Sequence, residues 1–167
     1  MEQAIALATQ AEQIGEVPVG ALVVCDGQII GQGYNQTINS HDPCGHAEII
    51  ALRQAAQTLG NHRLSGCDLY VTLEPCTMCV GALIHARIRR LVYAASEPKA
   101  GAVVSQMQLL EQPYFNHSVQ VISGLMADES GRMLSNFFKQ RRKQHKANKA
   151  DKANSNSITD QSKDAVL

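Results

Sequence analysis

No stretch of the 167 residues reaches the roughly 18 consecutive apolar side chains needed to cross a bilayer. Glu2 and Gln3 stand where an export signal would place basic residues ahead of an apolar run. A soluble, cytoplasmic protein that makes no membrane contact is the expectation. The chain also lacks an even set of cysteines. There are five, and Cys76 and Cys79 have only Thr77 and Met78 between them, an arrangement that speaks against a secreted disulfide framework and for metal or thiol chemistry. Net charge is absent too, but as a cancellation: residues 1–138 hold seven Lys+Arg against twelve Asp+Glu, and residues 139–167 hold eight against three. The positive charge is thus concentrated at one end, where it either attracts a polyanion or merely solvates a tail. No internal repeat is found. What is present is 44% hydrophobic residues, enough for the core of one domain.

Periodicity supplies the elements. Ala4, Leu7, Ala8 and Ala11 mark one face of a first helix stopped near Gly15. Val17–Cys25 and Gln28–Tyr34 flank Asp26-Gly27 and read as a β hairpin. A polar loop follows, then a helix over Ala47–Leu59 ended by Gly60, a short buried strand over Cys67–Leu73, and a helix opened by Pro75 with Cys76 and Cys79 in its first turn. Leu91–Ala95 and Val119–Ile122 are two further strands with a short helix between them, and a last helix runs from Ala127 to about Lys146. Residues 1–146 are expected to form the domain, and residues 147–167 a polar, disordered tail. The order predicts an α/β, three-layer α-β-α sandwich around a five-stranded mixed sheet, with parallel pairing where strands and helices alternate.

The chemistry-bearing residues are His46, Cys76 and Cys79. A catalytic zinc takes three protein ligands and leaves a fourth position for water, and neutral imidazole and thiolates are suitable donors. Exposed amides at a helix start favour thiolates. Glu48, two residues past His46, points away from it on a helix and is free for proton transfer. The bond-making such a site performs is attack of zinc-activated hydroxide on an electrophilic ring carbon, with Glu48 moving protons as ammonia leaves. A Cys-x-x-Cys pair alone also fits a redox motif or half of a structural zinc site. His-Ala-Glu followed by Pro-Cys-x-x-Cys resembles the zinc-dependent nucleobase deaminase signature as a whole.

The resemblance extends beyond that signature. Through EVPVGALVV, GYN, HDPCGHAEI, LYVTLEPCTMC, GALIHARI and LSNFFKQRRK the chain resembles the bacterial tRNA-specific adenosine deaminases of the zinc-dependent cytidine/deoxycytidylate deaminase superfamily, across residues 1–146. The resemblance implies a cytidine-deaminase-like fold, one zinc per subunit, a homodimer with composite active sites, and conversion of adenosine to inosine at the wobble position (position 34) of a tRNA anticodon stem-loop. It begins close to the first helix, whose leading turn is often longer in relatives, so a late start is expected. Two other readings stand beside it: deamination of a free base or nucleoside such as guanine or cytosine, and a non-catalytic zinc-bearing RNA-binding module.

Asn35 matches the family's base- or ribose-contacting asparagine, with an Asx turn as the plainer account. Phe137 and Phe138 on the last helix are candidates for stacking on a splayed base, one of them being core. Arg141 and Arg142, with Lys139 and Lys143, are candidates for phosphate contacts. Glu97 stands where the tRNA enzymes commonly carry an aspartate near the substrate backbone, one methylene shorter. Lys99 matches a family lysine within reach of phosphate. Cys44 replaces a threonine common two positions before His46 and is expected unligated. Cys25 and Cys67 read as small core residues, and Glu74 as support for the turn into the cysteine helix.

Overall fold

The computed structural model describes the backbone of residues 1–161 and side chains through Lys149. Helix α1 (Glu2–Gln13) is followed by strands β1 (Gly20–Cys25) and β2 (Gln28–Tyr34), helix α2 (Ala47–Leu59), β3 (Asp68–Leu73), α3 (Thr77–His85), β4 (Arg90–Ala95), a single 3-10 turn (Leu109–Glu111), β5 (Gln120–Ser123) and α4 (Ala127–Gln161). The chain divides into two units, Met1–Met133 and Leu134–Leu167. The division falls inside α4, earlier than the boundary after residue 146 that composition suggests.

In the first unit the sheet order is β2-β1-β3-β4-β5. Asp26 (φ 47°) and Gly27 (φ 76°) both adopt positive φ, as a two-residue hairpin turn requires. β1 also pairs antiparallel with β3, whereas β3–β4 and β4–β5 are parallel. β2 and β3 therefore point the same way with β1 between them, and α2 crosses over that strand. One consequence positions the site: the carboxyl ends of β2, β3 and β4 and the amino end of β1 all lie along one edge of the sheet, the edge where open α/β sheets bind ligands.

Glycines set the helix heights. A Cβ on Gly20 would lie 2.1 Å from the Ala4 carbonyl of α1. One on Gly31 would lie 2.3 Å from the Ala51 carbonyl, and one on Gly33 2.5 Å from that of Ala47. α1 and α2 thus press on opposite faces of the hairpin, α2 through the wholly buried Ala47, Ala51 and Ala55. These alanines recur every fourth residue, so they share one face of the helix. Leu69, Val71, Val80, Leu83, Ile88 and Leu91 complete the core.

Two expectations change. Cys76 is the N-cap of α3, with extended backbone (φ −77°, ψ 174°), and helical geometry begins at Thr77. Helix α4 continues past Lys146 to Gln161. No glycine or proline follows Gly131 to stop it, and the Lys- and Ala-rich stretch 146–153 has good helix propensity. The rest of the expected tail, residues 162–167, lies outside the described residues. Among the described residues no helix is long and apolar enough to cross a membrane.

Gly33→Ala should cost about 1–3 kcal/mol through overpacking against α2, read from the urea midpoint. Gly81→Ala, where nothing lies within 4 Å of the added carbon, is the control and should not destabilise. Equal midpoints for the two variants would refute the seating of α2 on Gly33.

Candidate metal centre and its pocket

Each centre residue sits where a helix begins. His46 is the N-cap of α2 and Cys76 that of α3, both with extended backbone, and neither side chain makes a capping hydrogen bond. The His46 imidazole is turned instead toward the two sulfurs. The Cys76 and Cys79 sulfurs stand 3.7 Å and 3.6 Å from His46 Nδ1, and all three ligand atoms lie within 4.8 Å of one another. With Zn–S near 2.3 Å and Zn–N near 2.0 Å, a tetrahedral ion sets sulfur and nitrogen about 3.5 Å apart. The donor set fits zinc in both chemistry and spacing. The Cys79 thiol's hydrogen bond to Cys76 pushes Cys76 down to about 4 and pushes Cys79 up. Left to themselves the sulfurs share a proton, which a dication with two thiolate ligands displaces. The hydrogen bond to Cys76 raises His46.

Glu48 is 3% exposed, and its Oε2 is buried without a hydrogen-bond partner. Burial raises its carboxyl above the ordinary range. An orphaned carboxylate oxygen beside a metal-type donor set is costly for stability alone. It suits a group that exchanges protons with something bound there.

Asn35, His46, Glu48, Cys76 and Glu97 share a cavity of about 220 Å³ whose apolar wall includes Val17, Val19 and Leu73. That is below the roughly 300–1,000 Å³ of drug-sized pockets and suits one ring system. A larger groove of about 510 Å³, lined by Gln10, Gln32, Gln36, Gln54 and Gln57 among others, gathers no metal ligands or nucleophile, so size does not locate the chemistry.

Asn35 Oδ1 accepts the Ala47 amide at 2.9 Å, capping the first turn of α2 rather than making an Asx turn. Its amine is what remains for the cavity. Glu97 Oε1 accepts the Lys99 amide, and the Lys99 side chain does not line the cavity. Cys44 is outside the ligand group. The second unit carries Phe137 (6% exposed) and Phe138 (44%), edge-to-face with ring centroids 5.5 Å apart. The Arg141 guanidinium lies over the Phe137 ring at 5.6 Å. Arg142 is exposed.

Two buried acids beyond the donor set and Glu48 shape the cavity. Glu74 accepts the amides of Glu97, Val103, Val104 and Ser105 and the Ser105 hydroxyl, tying down the loop that carries Glu97 and Ala100. Burial works to raise this carboxyl, but the bonds from Ser105, Val104 and Glu97 outweigh it and hold it low. Glu16, fully buried, accepts the Thr37 hydroxyl, the Ile38 and Asn39 amides and the Asn39 side-chain amine, fixing the segment beyond Asn35. For Glu74 the one sequence signal is a charge at the end of an apolar strand. Glu16 has none.

The family model for the cytidine and deoxycytidylate deaminase zinc-binding region matches residues 1–95. The tRNA-specific adenosine deaminase of Haemophilus influenzae is 50% identical over 151 residues, covering 90% of this chain and 87% of the relative. That of Bacillus subtilis is 44% identical over 147 residues, covering 88% and 91%. A structure from a study of A-to-I editing by tRNA:A34 deaminases at the wobble position superposes with a TM-score of 0.78 at 48% identity, over 80% of this chain and 97% of that one. A guanine deaminase from Nitrosomonas europaea superposes with a TM-score of 0.72 at 26% identity, over 81% of each chain.

Elemental analysis should find one zinc per chain in wild type, and His46→Ala or Cys79→Ser should abolish it. Full zinc content in either variant would exclude that ligand. Glu74→Gln puts an amine among donors. It should speed amide exchange in residues 97–105 by tenfold or more, the equivalent of about 1.4 kcal/mol of local protection, with zinc content unchanged. Unaltered exchange there would remove Glu74 as the loop's anchor.

Proposed function

Because the chain belongs to the zinc-binding cytidine and deoxycytidylate deaminase family, we propose that it is a tRNA-specific adenosine deaminase, converting adenosine to inosine at the wobble position of a tRNA anticodon stem-loop. The observation that carries this reading is 50% identity to a tRNA-specific deaminase over 90% of the chain, joined to a cavity lined by Glu48, His46 and Cys76, with Cys79 completing the donor group behind it.

His46 Nδ1, Cys76 and Cys79 would hold the zinc ion, which when bound would acidify a water to the point of supplying hydroxide near neutral pH. Glu48 performs the chain's share of the proton work. Its unpartnered Oε2 takes one proton of the water that adds to adenine C6 and hands it to the neighbouring ring nitrogen, then takes the proton of the newly added hydroxyl and delivers it to the departing amine. Water enters and ammonia leaves, so the amine carbon becomes a carbonyl. Asn35 offers its amide amine to the base or ribose, and Val17, Val19 and Leu73 pack the ring. Glu97 meets the nucleotide backbone. With Oε1 engaged by the Lys99 amide, its other oxygen is the available acceptor. Lys99, Arg141 and Arg142 contact phosphates, and Phe138, the more exposed phenylalanine, stacks on an anticodon base while Phe137 supports it. An anticodon loop already exposes its bases, which lowers the cost of delivering one to a closed cavity. The protein acts in the cytoplasm as a homodimer.

The guanine deaminase neighbour makes free-base turnover the competing activity. Zinc-loaded protein incubated with an anticodon stem-loop bearing adenosine at the wobble position should yield inosine, and free guanine should be left intact. No inosine together with xanthine production would replace the tRNA reading. Glu48→Gln should lower the rate by about 10²–10⁴-fold with zinc retained, and full turnover would remove Glu48 from proton transfer.

A further inference from the structure

Cys25 and Cys67 lie at the sheet edge opposite the metal centre, at the carboxyl end of β1 and just before β3. The β1–β3 register runs Ala21↔Val71, Leu22↔Tyr70, Val23↔Leu69, Val24↔Asp68 without a shift, so its next step pairs Cys25 with Cys67. Direct antiparallel partners have Cα atoms about 4.5 or 5.5 Å apart according to pair type. Both distances fall within the roughly 4.4–6.8 Å that a disulfide spans. Partners also project to the same face of the sheet.

The two sulfurs differ in setting. Cys67 is fully buried and Cys25 part-exposed. Burial, then the hydrogen bond to the Cys25 sulfur, push the Cys67 thiol up to about 12. Cys25 Sγ in turn donates to Asp26 Oδ2 at 3.9 Å. Cys67 thus keeps its proton and aims it at Cys25, which is the sulfur an oxidant in solution meets first. A pair serving only to fill space would not need two thiols in register at a solvent-reachable strand end.

We infer that Cys25 and Cys67 form a dithiol modification site, closed by hydrogen peroxide into a cross-strand disulfide remote from the metal centre. Cys25, as thiolate, attacks one peroxide oxygen. An S–O bond forms, the O–O bond breaks, and the leaving hydroxide takes the proton released by Cys25 to become water. Cys25, now a sulfenic acid, is attacked by the Cys67 sulfur. The S–S bond forms, the S–O bond breaks, and hydroxide leaves as water with the Cys67 proton. Two thiols are oxidised by two electrons, and one peroxide is reduced to two waters. Proximity makes this second step intramolecular, which protects Cys25 from further oxidation.

The test uses zinc-loaded full-length protein treated with hydrogen peroxide, alkylated, digested and mapped by mass spectrometry. The expected result is a Cys25–Cys67 cross-linked peptide two hydrogen masses lighter than the separate peptides, reversed by dithiothreitol. The oxidised protein should also melt at a higher temperature, a gain absent from Cys25→Ser. In Cys25→Ser, Cys67 should stay fully alkylatable, and in Cys67→Ser, Cys25 should advance to sulfinic acid. Sulfinic Cys25 in wild type with Cys67 still alkylatable would overturn the inference. So would both thiols remaining alkylatable at a dose that oxidises Cys44. These readouts are masses and melting temperatures, so they stand whatever the deamination assay returns.

Discussion

The close seating of α2 on the hairpin governs the centre. Gly31 and Gly33 leave no room for side chains between β2 and α2, and Ala47, Ala51 and Ala55 return the same shallow surface from the helix. His46 and Glu48 ride on the first turn of that helix. A displacement of half an ångström there would carry the imidazole nitrogen away from two sulfurs 3.6–3.7 Å distant. Those sulfurs belong to α3, seated separately after β3. Interiors packed at crystal density transmit such displacements instead of absorbing them, so backbone contact far from the metal ligands sets their geometry.

Stability is conceded at the same positions. N-caps are commonly Ser, Thr, Asp or Asn, and replacing such a cap with a non-capping residue costs about 0.5–2 kcal/mol. Here His46 and Cys76 occupy the caps and make no side-chain capping bond. For α2 the missing bond comes from Asn35, whose Oδ1 reaches the Ala47 amide across the chain. One residue thereby restores a helix end and directs a donor into the cavity. Glu16 and Glu74 carry out parallel tasks on the surrounding loops, each collecting several donors on a buried carboxylate. Hydrogen bonds to charged groups, about 1.5–3 kcal/mol each, are strong enough to turn irregular segments into fixed walls. Glu48 is the contrasting acid, with an oxygen left unsatisfied beside the donors.

Where a signal is confined to a few neighbouring residues, the sequence and the structure agree. Asp26-Gly27 specifies the hairpin because both residues tolerate positive φ. Ala47–Leu59 is a helix with Gly60 left-handed at its end, and the His-Ala-Glu and Pro-Cys-x-x-Cys segments supply the three residues that come together as a group able to hold a metal. Local chemistry alone dictates these features. What it could not dictate involves partners far apart in the chain or a competition between equals. Glu16 matters through residues 37–39 and Glu74 through residues 97–105, neither of which a local pattern marks. Cys76 becomes a cap because its backbone is still extended past β3, bridged to Gly101 before the helix starts. The α4 helix outlasts its apolar stripe because propensity without a breaker suffices to prolong it. The pairing of Cys25 with Cys67 exists only once β1 and β3 are in register. Sequence by itself determined the order of elements and the chemistry of the centre, through neighbours whose interactions span less than a helical turn. Tertiary structure decided distances, burial and loop anchorage, since these follow from packing between segments tens of residues apart.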